Sequence, residues 1–315
     1  MQSIHYISNL NDLKKTPNRD SYLVTIGVFD GVHKGHQSLI SQTIEKAKQN
    51  GYKTCLISFQ NSPYHHIMNL NDNDYYLNTI KEKQSILQNF DLDQIILLEF
   101  NDELSNTSPH NFLNILKSCV NMESLYVGPD FAIGKKRLGN IKYLNDNQSK
   151  FNYHLDISNP YTMNNEIISS TLIKSFIKSG QLIKANSYLG RKYNLSGTVI
   201  KGEGRGSDLN MPTANLDFDI KKILPKDGVY ACKVIHDETS YIGALSIGNN
   251  PTFGSNNSKS VEVHLLNFNK SIYNHSINIE IYKHIRDQIK YIDVNELKSQ
   301  MQIDIINIKD YFDNE

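Results

Sequence analysis

The sequence predicts an α/β domain with a parallel sheet, followed by a small antiparallel β-barrel domain with a C-terminal helix. Two observations indicate this fold class. Strands and helices alternate in the first half of the chain, whereas short strand-like runs separated by Gly, Asn and Pro clusters follow residue 195. A chain of 315 residues also exceeds the usual size of one hydrophobic core. We therefore expect two domains, at residues 1–184 and 185–315.

The first domain opens with a predicted βαβ unit. Residues 22–26 are a β-branched and aromatic run that predicts a strand, and residues 53–59 predict a second strand. Between them, apolar side chains recur at helical spacing over residues 36–49, and Gly51 provides a stop. Because a crossover helix joins the two strands, we expect them to be parallel.

The remaining elements continue the alternation and then change to strands. Residues 94–100 predict a strand buried on both faces, residues 125–127 predict a further strand, and residues 109–118 predict a helix between them. Two short helices are expected at residues 170–178 and 181–189. The later strands are expected at residues 195–200, 228–235, 241–247, 260–266 and 277–284. A final helix should begin at Asp293, with one apolar face formed by Leu297, Met301, Ile305 and Ile308.

Composition and charge exclude several classes of partner. Lys and Arg together number 33, as do Asp and Glu, so neither nucleic acid nor a membrane surface is an expected partner. No stretch approaches the roughly eighteen apolar residues that a membrane span needs. The three cysteines are far apart and odd in number, which suits a reducing compartment. We expect a cytoplasmic protein whose anion binding is local.

The turn after the first predicted strand, residues 27–36 (GVFDGVHKGH), has the features of a phosphate-binding loop. Gly27, Gly31 and Gly35 let the backbone approach a ligand closely, and the following helix offers free N–H groups to an anion. His33 and His36 are three residues apart and can face the same phosphate chain. A metal site is not expected here, because no third and fourth ligand stand at suitable spacing.

This turn resembles that of the H-x-G-H nucleotidyltransferase superfamily, and nearly the whole chain resembles the bifunctional riboflavin kinase/FMN adenylyltransferase family. Residues 127–134 (VGPDFAIG) are similar to the family's flavin-site segment, and residues 168–174 (ISSTLIK) to another of its motifs. The resemblance implies a Rossmann-like first domain with catalytic His33, His36 and Lys174, and flavin-binding Asp130 and Phe131. The implied ATP- and phosphate-binding residues are Gly27, Phe29, Asp30, Gly31, Gly35, Ser169, Ser170 and Thr171.

The second domain carries riboflavin kinase-like segments. Taken alone, residues 212–215 (PTAN) indicate a turn, but together with residues 197–202 and 260–266 (SVEVHLL) they match the family's order. The resemblance implies that Gly202 and Thr213 bind ATP, that Thr213 and Asn215 bind Mg²⁺, and that Glu262 is catalytic. Hydroxyl and amide oxygens are acceptable ligands for Mg²⁺. If the valines that flank Glu262 pack into the barrel, strand alternation places its carboxylate on the opposite face.

The resemblance implies FAD biosynthesis: phosphorylation of riboflavin to FMN and adenylylation of FMN to FAD, with ATP as co-substrate and Mg²⁺ as cofactor. The binding partners are then riboflavin, FMN, FAD and ATP. Two alternatives remain open: a nucleotidyltransferase for another small molecule, and a single-activity or non-catalytic flavin- or nucleotide-binding paralogue. The second alternative draws on departures from the family's pattern, at Lys174, Ser207, Asn210 and Asn267.

Overall fold

The computed structural model describes residues 2–9, 12, 20–202, 211–249, 259–291 and 293–315. The chain forms two compact units, one of Met1–Asp72 with Asn78–Ser170 and one of Asn73–Leu77 with Thr171–Glu315. The expected boundary between residues 184 and 185 stays a prediction. Among the described residues, no helix has both the length and the apolar character required to cross a bilayer.

The first unit is built on a parallel six-stranded sheet. Its strands are β1 (Ser3–Ile7), β2 (Tyr22–Ile26), β3 (Lys53–Phe59), β4 (Gln94–Leu98), β5 (Met122–Val127) and β8 (His154–Ile157), in the order β1-β4-β3-β2-β5-β8. Two short hairpins are added: β6 (Ala132–Ile133) with β7 (Gly139–Asn140), and β9 (Thr162–Met163) with β10 (Glu166–Ile167). The direction of winding reverses between β2 and β5. In open α/β sheets, ligands bind at such a switch point, beyond the carboxyl ends of the strands.

The helices of this unit begin at identifiable caps. They are α1 (Lys34–Gln49), α2 (Pro63–Met68), α3 (Ile80–Leu87), α4 (Asp102–Asn106), α5 (Pro109–Ile115), α6 (Ile141–Asp146) and α7 (Gln148–Phe151). The His33 side chain caps α1, and Thr79 with Glu82 forms a reciprocal capping box at α3. The predicted βαβ unit is confirmed, since β2 and β3 are parallel. The helix expected over residues 109–118 is shorter, because a π-helical turn (Leu116–Val120) follows α5.

The second unit is a closed antiparallel barrel. Its strands are β11 (Tyr193–Ile200), β12 (Ala214–Phe218), β13 (Gly228–His236), β14 (Thr239–Asn249), β15 (Lys259–Leu265) and β16 (Ser276–Asp287), closed in the order β11-β12-β15-β14-β13-β16. Its helices are α8 (Ser170–Lys178), whose first residue still belongs to the first unit, α9 (Leu182–Leu189) and α10 (Val294–Asp313). The barrel and the C-terminal helix are thus confirmed. Residues 212–215 (PTAN) taken alone indicate a turn, but from Ala214 onward they form a strand. Ala214 and Asn215 pair with Val263 and Glu262 of β15.

The C-terminal helix α10 is tied to the barrel by an ion pair. Arg286 of β16 donates Nε–H to Asp304 Oδ1 at 2.8 Å and an Nη2 hydrogen to Oδ2 at 2.7 Å. Asp304 is buried beside Ile308 on the inner face of α10. A two-pronged contact of this kind fixes both the distance and the rotation of the helix against the strand.

Removing the carboxylate of this pair should destabilise the second unit. Asp304→Ala leaves the Arg286 guanidinium partly buried without its acceptor, so we expect the free energy of unfolding to fall by about 2–3 kcal/mol. Chemical denaturation measures this change, with the exposed Asp310→Ala on the same helix as a control. Equal midpoints for the two variants would contradict this role of the pair.

Candidate active sites

The sheet of the first unit brings two predicted site segments to one edge. Residues 27–36 leave the carboxyl end of β2, and Asp130 and Phe131 follow the carboxyl end of β5. Because β2 and β5 are parallel neighbours, both segments lie beyond the same edge of the sheet. This edge is also the switch point of the sheet, where such folds bind ligands. Residues 27–36 and the segment with Asp130 and Phe131 therefore lie at the place expected for a ligand.

The two histidines of the turn form a stacked pair at the start of α1. Their ring centroids are 3.6 Å apart with an interplanar angle of 17°. His33 is buried, and its Nδ1 accepts a hydrogen bond from the backbone N–H of His36 at 3.3 Å. A neutral His33 ring therefore carries its proton on Nε2, the tautomer that donates to an anion. The pair lies beside the helix N-terminus, where backbone N–H groups favour negative charge.

The backbone of the turn takes unusual conformations that packing holds in place. Phe29 and Val32 have positive φ angles of 48° and 38°, and both side chains are buried. The Phe29 ring packs edge-on against His36, with centroids 5.1 Å apart. A Cβ at Gly27 would lie 3.1 Å from the Phe29 ring, and a Cβ at Gly35 would lie 3.2 Å from the His33 ring. Gly27 and Gly35 thus permit the close packing that orients both rings.

Three further predicted residues also lie at this turn. Gly31 has a φ of 81°, which favours glycine. The hydroxyl of Ser170 donates to the carbonyl of Asp30 at 2.8 Å, and the Asp30 side chain is buried. Ser170 is also the first residue of α8.

Two residues that the sequence analysis did not single out, Lys83 and Ser58, donate hydrogen bonds to the backbone of the turn. The Lys83 ammonium donates to the carbonyls of Val28 and Phe59, at 2.9 Å each, and the Ser58 hydroxyl also donates to Val28 at 3.0 Å. Lys83 is only 4% exposed, on the face of α3 that also carries the buried Leu87. Its spacing from Leu87, one helical turn, was the available signal, because a lysine within an apolar stripe needs buried acceptors.

Five further residues were expected at the site around residues 27–36: Asp130, Phe131, Ser169, Thr171 and Lys174. Asp130 is exposed, its carbonyl accepting from Arg137 at 2.6 Å, and Phe131 packs partly against the core. Thr171 and Lys174 belong to the second unit. There the Lys174 Nζ atom lies 3.4 Å from the centroid of the Tyr75 ring, a cation–π contact. The roles predicted for these four residues, and for Ser169, stay predictions.

The second unit brings Thr213, Asn215 and Glu262 together. Val261 and Val263 are buried, so alternation places Glu262 on the other face of β15. Asn215 of β12 lies directly opposite Glu262 in the strand register. Thr213, two residues before Asn215, donates its hydroxyl hydrogen to Glu262 Oε2 at 3.3 Å. A carboxylate, a hydroxyl and an amide therefore share one outward face of two paired strands.

Two neighbours fix the segment that carries Thr213. A Cβ at Gly202 would collide with the Asn215 amide, so only glycine lets that amide lie against the backbone there. His264, two residues after Glu262 on β15, lies with its Nδ1 atom 2.8 Å from the carbonyl oxygen of Pro212. A proton on Nδ1 makes this a hydrogen bond that holds the backbone immediately before Thr213. Sequence reasoning did not single out His264, although its spacing from Glu262 placed it on the same strand face.

The departures from the family's pattern are only partly visible. Asn267 is exposed and has a φ of 56°, a left-handed conformation that asparagine tolerates well. Ser207, Asn210 and residues 250–254 lie outside the described residues. The thiols of Cys55 and Cys232 are not candidates for catalysis, since burial raises the pKa of each and keeps it protonated.

Comparisons with known proteins agree with both halves of this arrangement. The family model for FAD synthetase matches residues 15–172, and that for riboflavin kinase matches residues 189–312. A bifunctional riboflavin kinase/FMN adenylyltransferase of Buchnera aphidicola subsp. Schizaphis graminum is 36% identical over 97% of this chain and 98% of its own length. The protein of that name from Bacillus subtilis is 30% identical, over 100% of this chain and 99% of its own.

A solved structure extends the agreement to the fold. A Streptococcus pneumoniae protein described as a macrolide-efflux protein superposes with a TM-score of 0.87, over 97% of this chain and 98% of its own, at 25% identity. The likeness covers both units, in chain order. On this evidence the chain belongs to the bifunctional riboflavin kinase/FMN adenylyltransferase family.

Proposed function

We propose that this protein makes FAD from riboflavin in two ATP-dependent steps, one in each unit. The observation that carries the proposal is that Glu262, 49 positions after Thr213 along the chain, meets Thr213 and Asn215 on one barrel face in the second unit. The first unit separately holds a histidine pair at a helix N-terminus. The match of the second half to riboflavin kinases argues against a nucleotidyltransferase for a different small molecule.

In the proposed kinase step, Glu262 is the general base. Its carboxylate takes the proton of the terminal ribityl hydroxyl of riboflavin while that oxygen attacks the γ-phosphorus of ATP. The new O–P bond forms as the bond to the β-phosphate oxygen breaks, giving FMN and ADP. The Thr213 hydroxyl, which donates to Glu262, holds the carboxylate in one orientation. The partly exposed position of Glu262 leaves the carboxylate accessible to substrate.

The residues around Glu262 also fit a magnesium ion. Thr213 offers a hydroxyl oxygen and Asn215 an amide oxygen, and Mg²⁺ prefers such hard ligands together with substrate phosphates and water. Gly202 gives the Asn215 amide the space it occupies. When bound, the ion would neutralise the charge of the ATP phosphates. We assign Thr213 and Asn215 to the metal, and Gly202 and Thr213 to ATP.

In the proposed adenylyl transfer, an oxygen of the FMN phosphate attacks the α-phosphorus of a second ATP. The bond to the β-phosphate oxygen breaks, so pyrophosphate leaves and FAD forms. No protein nucleophile is required, because His33, His36 and the N–H groups of α1 stabilise the developing charge. Phe29 and Lys83 keep these groups in place through the ring contact and the Val28 carbonyl. Asp130 and Phe131 are assigned to the flavin, Ser169 and Thr171 to the phosphates.

Lys174 is proposed to neutralise charge on the triphosphate, where the family's pattern has arginine. Lysine supplies the charge but not the forked donor of a guanidinium, so it binds phosphate as a point charge. The support for this role is the resemblance of residues 168–174, and the cation–π contact with Tyr75 shows where the side chain rests in this structure.

The overall proposal is tested by the products. Purified protein is incubated with riboflavin, ATP and Mg²⁺, and FMN and FAD are resolved by chromatography. Formation of both supports the proposal, FMN alone indicates a kinase only, and neither product indicates a flavin- or nucleotide-binding paralogue.

Loss of the second histidine should affect one step only. In His36→Ala the stacked pair and its contact with Phe29 are gone, so FAD formation from FMN should fall by about 10²-fold or more. Phosphorylation of riboflavin should be unchanged. The control is His154→Ala, an exposed histidine of the same unit that takes no part in the site. Equal loss of both activities in a folded His36→Ala protein would contradict the assignment.

Lys83 should act as a positioning residue. Lys83→Met keeps most of the apolar stem but removes both hydrogen bonds, which should lower stability by about 1–3 kcal/mol. At a temperature where the variant stays folded, kcat for FAD formation should fall more than KM for ATP rises, because the turn loses its alignment. Lys83→Arg should restore part of kcat. Stability loss with wild-type kcat would show that Lys83 is structural only.

The Glu262 base is tested by an isosteric change. Glu262→Gln keeps the volume but removes the proton acceptor, so riboflavin phosphorylation should fall by roughly 10²- to 10⁴-fold while FAD synthesis from supplied FMN persists. Glu280→Gln, on another strand of the same barrel, is the matched control and should retain activity. Wild-type kinase activity in Glu262→Gln would mean that Glu262 is a solvated surface charge.

A further inference from the structure

A cluster of potential metal ligands lies at one end of the barrel. His236 is the last residue of β13, Asp237 is the first residue of the β13–β14 turn, and His275 immediately precedes β16. One ligand atom from each residue lies within 4.8 Å of the other two. We propose that His236, Asp237 and His275 bind a transition-metal dication of the Zn²⁺ type.

The distances between the ligand atoms are those of a coordination shell. His236 Nε2 lies 2.9 Å from His275 Nδ1 and 3.4 Å from Asp237 Oδ2. With bonds of about 2.0–2.1 Å to the metal, neighbouring ligand atoms lie about 2.9 Å apart in octahedral and about 3.4 Å apart in tetrahedral geometry. Both of these distances fall in this range, and the ligand atoms of Asp237 and His275 lie within 4.8 Å of each other.

The supporting structure holds two of the three ligands in place. His236 is buried, and its ring packs edge-on against Phe268, which packs in turn against Tyr241. The carbonyl of His275 accepts a hydrogen bond from the Val199 N–H at 2.9 Å, so β11 fixes the backbone beside this ligand. Asp237 is exposed, with a positive φ of 47° in the hairpin turn. Preorganised backbone and rings reduce the entropy lost on binding.

The ligand chemistry separates this site from the proposed magnesium centre. Two imidazole nitrogens with one carboxylate favour zinc, cobalt, nickel or copper, whereas Mg²⁺ prefers oxygen ligands. Three protein ligands leave at least one coordination position for water or another molecule. The cation would join the β13–β14 turn to the segment before β16, and so stabilise the second unit by mass action.

Zinc titration of matched variants tests the site without any use of enzymatic activity. The full chain, treated with chelator and then freed of it, is titrated with Zn²⁺ by calorimetry, and the melting temperature is measured with and without Zn²⁺. We expect His275→Ala to lose one site or to bind it at least about tenfold more weakly, and to lose the Zn²⁺-dependent rise in melting temperature. His154→Ala, which removes an exposed histidine from the first unit, should bind like the wild type.

Because the chain has 11 histidines, Zn²⁺ could also bind elsewhere. The comparison of His275→Ala with the wild type and with His154→Ala separates binding at this site from binding at other histidines. Co²⁺ supplies a second readout, because its visible absorption reports nitrogen coordination, and this band should disappear in His275→Ala. Circular dichroism confirms that the variant is folded. Equal Zn²⁺ stoichiometry and affinity in wild type and His275→Ala would overturn the proposal, as would a wild type that binds no Zn²⁺.

Discussion

The geometry of the first centre depends on one carbonyl group. The Val28 oxygen accepts hydrogen bonds from Ser58 and from the buried Lys83, and Lys83 also binds the carbonyl at the end of β3. These contacts fix the backbone just before Phe29, whose positive φ turns its ring against His36. The histidine pair and the first residues of α1 come immediately after this segment in the chain. The buried Lys83 ammonium thus helps to set where the two histidines and the first residues of α1 lie.

The second centre depends on the alternation of a strand. Val261 and Val263 pack into the barrel, which leaves Glu262 on the outer face, and the pairing of β12 with β15 sets Asn215 opposite it. The chain has equal numbers of acidic and basic residues, so its net charge creates no strong electrostatic field that would attract anions. Each centre instead consists of a few polar groups held on a rigid element. The two proposed centres share no described residue, so a substitution in one should leave the step proposed for the other intact.

Local signals in the sequence predicted much of the fold. The β2–α1–β3 unit, the helix Ser170–Lys178 and five of the six barrel strands follow from hydrophobic period and from glycine stops, whereas β12 was not predicted. The outward position of Glu262 was predicted from strand alternation, on the condition that its flanking valines pack into the barrel, and both valines are buried. Contacts between distant residues could not be found in this way: Lys83 meets Val28 across 55 positions, and His236 meets His275 across 39. Such contacts depend on which elements the tertiary fold places side by side, and residue spacing alone does not specify this.

The central claim is that two chemically different phosphate transfers occur on one chain. The most direct measurement starts from riboflavin and follows radiolabelled phosphorus from ATP into the separated flavins. Label at the γ-phosphate should appear in both FMN and FAD, because FAD inherits the phosphate of FMN, whereas label at the α-phosphate should appear in FAD and never in FMN. Label from the α-phosphate in FMN, or FAD that carries no α-label, would contradict the account.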